Sequence, residues 1–178
     1  ESLLASNPRT EEGDVITSIE PFVEQRLEET LENVMKTYEP KIAGGIVMEP
    51  GTGEILAIAA RPDFDPNTYS TVSNPAVFGN PVVDNIYEMG SIMKPLTLSA
   101  ALDVGAITPE TTYNDKGFIM KSGKRISNFD GKGRGVVNMQ TVMNESLNTG
   151  ASFAVDKMGH GVFADYVRAY GLGEETGI

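Results

Sequence analysis

Apolar residues recur at Val23, Leu27, Leu31, Val34 and Tyr38, and Glu24, Glu28, Glu29 and Glu32 fill the positions between them. That spacing draws one apolar stripe along a helix. Pro21 suits a first helical turn, so the pattern predicts an amphipathic packing helix over 21–38. From 42 to 60 the pattern changes. Two apolar runs, 46–48 and 55–58, flank E-P-G-T-G-E, which is turn chemistry, and predict a β-hairpin. Ala43, Gly44, Gly45, Ala57, Ala59 and Ala60 predict close packing against a neighbour, with helix 21–38 in that place. A lone hairpin is marginal in water, so more strands are expected beside it.

Around these elements the pattern is weaker. Residues 1–14 read as a polar lead-in or linker, and 15–20 as a short strand or an extended approach to the helix. Residues 61–90 hold Pro62, Pro66, Pro75 and Pro81 and read as a long irregular loop, a length that marks function or a linker. A mostly apolar helix is predicted over 91–104, stopped by Gly105 and buried on most sides. Within 111–135, GFIMKSGKRIS predicts a small hairpin turned at Ser122 and Gly123. Asn138 is placed to cap a short helix carrying Met139, Val142 and Met143. S-L-N-T-G (146–150) interrupts it. A helix then runs from Ala151 to Met158, and another carries Val162, Phe163, Tyr166, Val167 and Tyr170 up to Gly171.

Composition narrows the chemistry. At 178 residues and 40% apolar, the chain can bury one sizeable core. A net charge of −11 argues against nucleic acid, because a phosphate backbone attracts Lys and Arg. Without cysteine, disulfides and thiolate metal sites are excluded. The single histidine, His160, lies between two glycines and reads as a surface or capping residue. No run of about twenty apolar residues occurs, and no signal-peptide pattern opens the sequence. Asp63 and Asp65 are expected to order their loop, a two-carboxylate metal site being the weaker reading. Lys121, Lys124, Arg125, Lys132 and Arg134 read as a solvated basic loop, or as a contact for an anionic polymer or partner.

One pair can carry catalysis. Ser91 and Lys94 stand three apart, on one face of a first helical turn. A serine is a poor nucleophile until a base takes its proton. A lysine is that base only when neutral, and burial favours the neutral form. The first N–H groups of the helix point where an oxyanion would form. The same two residues also read as an N-cap serine and an ordinary first-turn lysine. Ser146 and Asn148 sit between two short helices, where side chains can enter a cleft. Ser146 suits a proton relay between Lys94 and a leaving group, and Asn148 suits a ligand for the lysine and a substrate carbonyl. Capping of the next helix by Asn148 or Thr149 is the structural alternative, and the two roles are compatible.

Together with GGIVMEPGTGEILAIAARPDFDPNTY (44–69), YEMGSIMKP (87–95), ESLNTGAS (145–152) and YGLGEETGI (170–178), these motifs give a resemblance over roughly 13–178. The chain resembles the penicillin-binding protein transpeptidases of the class B, high-molecular-mass type, whose set is S-x-x-K, S-D-N (with leucine in the middle here) and K-T-G. Here Ser91-Ile92-Met93-Lys94 fits the first and Ser146-Leu147-Asn148 the second. The resemblance implies an α/β (α+β) fold of the serine β-lactamase type, an antiparallel sheet flanked by helices plus an all-helical subdomain. It implies a serine D,D-transpeptidase that cross-links peptidoglycan stem peptides ending in D-Ala-D-Ala and is acylated by β-lactam antibiotics. Ser91 is then the nucleophile and an oxyanion N–H donor, Lys94 the base, Ser146 the relay and Asn148 a lysine and substrate ligand, with no cofactor or metal. The expected location is the extracytoplasmic face of the inner or cell membrane, held by an N-terminal anchor and among membrane-bound cell-wall synthesis partners.

Two departures stand out. Met89 occupies the position before Gly90 where the family usually has proline, and Met93 reads as core packing. No K-T-G or K-S-G follows Ser146. Residues 15–178 are therefore expected to be the N-terminal portion of the domain, needing the C-terminal remainder of the same domain and inactive alone. The alternatives are a serine β-lactamase or β-lactam-sensing domain, or a non-catalytic scaffold relative. For a lactamase, Glu88 and Glu145 are the nearby carboxylates, and both read as solvated or structural.

Overall fold

A computed structural model describes residues 16–176. The lead-in expected over 1–14, and Val15, lie outside them. The chain divides into two compact units between Ile86 and Tyr87.

In the first unit, α1 spans Pro21–Tyr38, β1 Ala43–Met48 and β2 Ile55–Arg61. The stripe of α1 buries Leu31 and half-buries Val23, Leu27 and Val34. Tyr38, assigned to the same stripe, is instead exposed at the last turn, where the chain leaves the helix through left-handed Glu39. The strands pair antiparallel, with Ile46 opposite Ile58 and Gly44 opposite Ala60. Successive strand residues face opposite ways, and the two glycines show what each face meets. A Cβ on Gly45 would lie 2.9 Å from Leu27 Cδ1 of α1, and one on Gly44 would lie 2.5 Å from Val82 Cγ2. The small residues thus admit α1 on one face and, on the other, α2 (Pro81–Asp84), which the sequence reading did not foresee.

Residues 16–20 are extended rather than a paired strand. Ser18 Oγ donates to Ile55 O at 2.7 Å and the Glu20 N–H to Leu56 O at 2.8 Å. One turn later the Glu24 carboxylate accepts the Ile58 N–H at 2.8 Å. This chain segment and one side chain therefore occupy the edge of β2 facing away from β1. Removing the acceptor leaves a part-buried N–H unpaired. Glu24→Ala is expected to destabilise the unit by about 1–3 kcal/mol, read as a lower urea midpoint with an unchanged slope.

The stretch 61–86 contains more order than its composition suggested. Short 3-10 turns at Pro66–Thr71 and Pro75–Phe78, and α2, each start at an Asx residue followed by proline. Asp65, Asn74 and Asn80 accept the backbone N–H of Asn67, Ala76 and Val82 respectively. Proline at the first position already has a helical φ and no N–H to satisfy.

In the second unit, Gly90, at φ +62°, turns the chain into a 3-10 turn (Gly90–Ile92) that continues as α3, Met93–Asp103. Strands β3 (Thr112–Asp115), β4 (Phe118–Lys121), β5 (Lys124–Ser127) and β6 (Gly135–Asn138) follow. The expected hairpin is β4–β5, turned at Ser122 (φ +46°) and Gly123 (φ +77°), the double left-handed pattern of a tight hairpin. β3 and β6 pair antiparallel across it, Thr112 with Asn138 and Asp115 with Gly135. Asn138 caps α4 (Met139–Asn144) by accepting the Thr141 N–H. α5 spans Asn148–Met158 and α6 His160–Ala169. The expected start at Ala151 is corrected to Asn148. Leu98, Ala101, Val142, Leu147 and Ala154 form the centre of the core. Antiparallel strand pairs flanked by helices give the mixed α/β architecture expected, and the helical unit also carries two strand pairs.

Candidate active site

Ser91 lies in the 3-10 turn and is exposed; Lys94 lies one turn deeper, in α3, and is 7% exposed. Lys94 Nζ is 2.9 Å from Ser91 Oγ. The end of α4 and the start of α5 bring Ser146 to the same place. Its Oγ is 2.8 Å from Lys94 Nζ and 3.0 Å from Ser91 Oγ, closing a triangle of hydroxyl, hydroxyl and amine. The Ser146 backbone carbonyl is also 2.7 Å from Nζ. The residue that presents both oxygens to one amine stands at φ +54°, a left-handed conformation uncommon for serine.

The triangle accommodates a neutral amine. Two N–H bonds then run from Nζ to the Ser146 carbonyl and Oγ, the Ser91 hydroxyl donates to the Nζ lone pair, and the Ser146 hydroxyl donates to Ser91 Oγ. Every proton has an acceptor. Burial lowers the Lys94 pKa below its ordinary 10.5, and among the described residues no carboxylate forms an ion pair with it. The direction favours an amine able to accept the Ser91 proton.

Asn148 is placed differently. Its Nδ2 donates to the Ser127 carbonyl at 2.8 Å, tying the first turn of α5 to the end of β5. The helix's capping position is Leu147, which makes no side-chain cap, so neither Asn148 nor Thr149 caps it. Thr149 Oγ1 instead donates to buried Asp115 at 2.8 Å. Asp115 and Asn128 escaped the sequence reading. Asp115 ends β3 and Asn128 follows β5, positions beside turns where polar residues usually face water.

Other singled-out residues are engaged locally. Glu145 accepts a bond from Arg134 Nε at 2.8 Å, a structural role. Arg134 also bonds Asp130, which holds that carboxyl down at about 2. Lys121 pairs with Asp156, and Arg125 lies 4.1 Å from the centre of the Phe118 ring. These three members of the basic cluster thus have partners within the chain. Asp65 accepts two bonds from Asn67, and Asp63 pairs with Arg61 at 3.0 Å. His160 is exposed at the first residue of α6. Among the described residues no helix is long and apolar enough to cross a membrane.

Residues 43–178 match the penicillin binding protein transpeptidase domain family, and the chain belongs to it. It is 32% identical over 167 residues to stage V sporulation protein D of Bacillus subtilis (strain 168), covering 93% of this chain and 26% of that protein. It is 31% identical over 162 residues to the probable peptidoglycan D,D-transpeptidase FtsI of Caulobacter vibrioides, covering 91% of this chain and 27% of that one. The apo TP domain of penicillin-binding protein 3 from Burkholderia pseudomallei superposes with a TM-score of 0.72 at 26% identity, over 89% of this chain and 43% of that chain. The chain spans about a quarter of the length of the curated relatives it matches.

Proposed function

We propose that the chain carries the nucleophile, base and proton relay of a peptidoglycan D,D-transpeptidase that accepts stem peptides ending in D-Ala-D-Ala and is acylated by β-lactams. The observation that carries this reading is the closed Ser91–Lys94–Ser146 triangle around a buried amine. Neutral Lys94 takes the Ser91 proton as Oγ attacks the penultimate D-alanyl carbonyl carbon. The Ser91 N–H donates to the developing oxyanion. Collapse breaks the C–N bond, and the proton passes from Lys94 through Ser146 to the departing D-alanine amine. The acyl group is left as an ester on Ser91. An amine of a second stem peptide then attacks that ester, gives its proton back along the same route, and the C–O bond breaks to restore Ser91. Asn148 spends one amide N–H on Ser127 and retains a second for a substrate carbonyl. The polymer substrate places the reaction at the extracytoplasmic face of the membrane, alongside other cell-wall synthesis proteins.

Incubating the intact protein with a fluorescent penicillin and mapping the adduct by peptide mass spectrometry tests the reading. One stoichiometric adduct on Ser91 is expected. An adduct on another residue, or none, removes it.

A further inference from the structure

We propose that Asp115 is a positioning residue for this site, acting through Asn128, Thr149 and Arg134 to hold Ser146 in its left-handed conformation. The proposal rests on the reading of Ser91, Lys94 and Ser146 as an acylation site.

Asp115, Asn128 and Thr149 are 2%, 3% and 1% exposed. A buried carboxylate is unfavourable unless its oxygens are satisfied, and here they are. Oδ1 accepts from the Gly117 N–H at 2.9 Å and Thr149 Oγ1 at 2.8 Å. Oδ2 accepts from the Arg134 N–H at 3.0 Å and Asn128 Nδ2 at 2.9 Å. Burial pushes the Asp115 pKa up, and these bonds outweigh it, so the group stays below the ordinary range. Replacing a buried polar cluster by packed apolar residues is often neutral or stabilising. Stability alone therefore does not explain a carboxylate here.

What the cluster grips does explain it. Thr149 lies three residues after Ser146, in the first turn of α5, and its N–H also meets Asn128 Oδ1 at 3.3 Å. Asn148 is tied to Ser127, next to Asn128. On the other side, the Arg134 side chain holds Glu145, the residue before Ser146. Segment 127–134 therefore bonds the chain at 145, 148 and 149, and Leu147 is fully buried. A left-handed non-glycine residue persists only where its surroundings over-determine it. In that conformation the Ser146 carbonyl and hydroxyl both reach Lys94. Release of the clamp frees Ser146 to relax and separates the relay from the amine.

In the intact protein, Thr149→Val removes the hydroxyl at nearly constant shape, and Thr149→Ser restores it. Thr149→Val and Asp115→Asn are each expected to slow fluorescent-penicillin acylation by about 10–100-fold, the scale of small displacements of a reacting group. The adduct should remain on Ser91, and Thr149→Ser should recover the rate. In a Ser146→Ala background Thr149→Val should cost less than in the parent, because the hydroxyl half of the contact is already gone and only the carbonyl remains to be displaced. A crystal structure of Thr149→Val should show Ser146 out of its left-handed conformation. An unchanged rate, an equal loss in both backgrounds, or an unmoved Ser146 overturns the proposal. If Asp115→Asn fails to fold, the Thr149 pair decides the matter. If the parent's adduct lies elsewhere than Ser91, the functional reading fails, and the crystal structure still decides the clamp.

Discussion

Lys94→Met is expected to leave the intact protein folded while slowing acylation of Ser91 by about 10²–10⁴-fold, the range a positioned general base supplies. Methionine keeps an unbranched, flexible chain in the same space and removes the proton acceptor. The melting temperature should be unchanged or higher, because the amine is buried and no carboxylate among the described residues forms an ion pair with it. The parent's pH behaviour follows from the same fact. Burial lowers the Lys94 pKa below 10.5, so the acylation rate should rise with pH through an inflection below that of a free lysine. The linked stability has a definite sign. The native state binds this proton less readily than the unfolded chain, so the penalty is full at low pH and fades as pH rises from the lowered pKa to 10.5. A pH series of melting curves should show that rise in the parent and its loss in Lys94→Met.

The second large effect concerns folding. Gly117 stands at φ +82°, and a Cβ there would lie 2.7 Å from Gly131 O, Gly133 N and Lys132 C, all backbone atoms. Gly53 stands at φ +80° with open space around its missing Cβ. Gly53→Ala should therefore cost only the left-handed backbone, about 1–2 kcal/mol. Gly117→Ala adds a clash that no side-chain rotation relieves, and should cost about 2–5 kcal/mol in total. Chemical denaturation of the two variants separates conformation from space. Gly117 also supplies an N–H to Asp115, so Gly117→Ala should slow acylation as well, whereas Gly53→Ala should not.

Local periodicity made much of the frame legible. Helix α1 was readable to its bounds because eighteen residues give five turns of pattern. The β1–β2 hairpin followed from two apolar runs about a turn. The nearness of Ser91 and Lys94 followed from helical spacing alone. β3 and β6 were not legible, since four-residue strands carry too little alternation to register and their partners lie 20 to 26 positions apart. The early start of α5 was hidden by Asn148, Thr149 and Gly150, all weak helix formers. Tertiary contacts override that preference. Thr149 and Asn148 are tied to 115–128, and Gly150 admits Val142, whose Cγ2 would lie 2.2 Å from an added Cβ. The Asx-Pro starts at 65, 74 and 80 did leave a readable mark, but each governs too short an element for periodicity to show.

The second anchor of Lys94 is an oxygen of the main chain, the Ser146 carbonyl. A genetic change rewrites side chains and leaves that atom in place. On the proposed mechanism, substitution at 146 should therefore impair proton delivery to the departing amine while the lysine stays aimed at its serine. Variants at this position should slow departure of the amine, and with it formation of the covalent adduct, while leaving the Ser91–Lys94 contact in place.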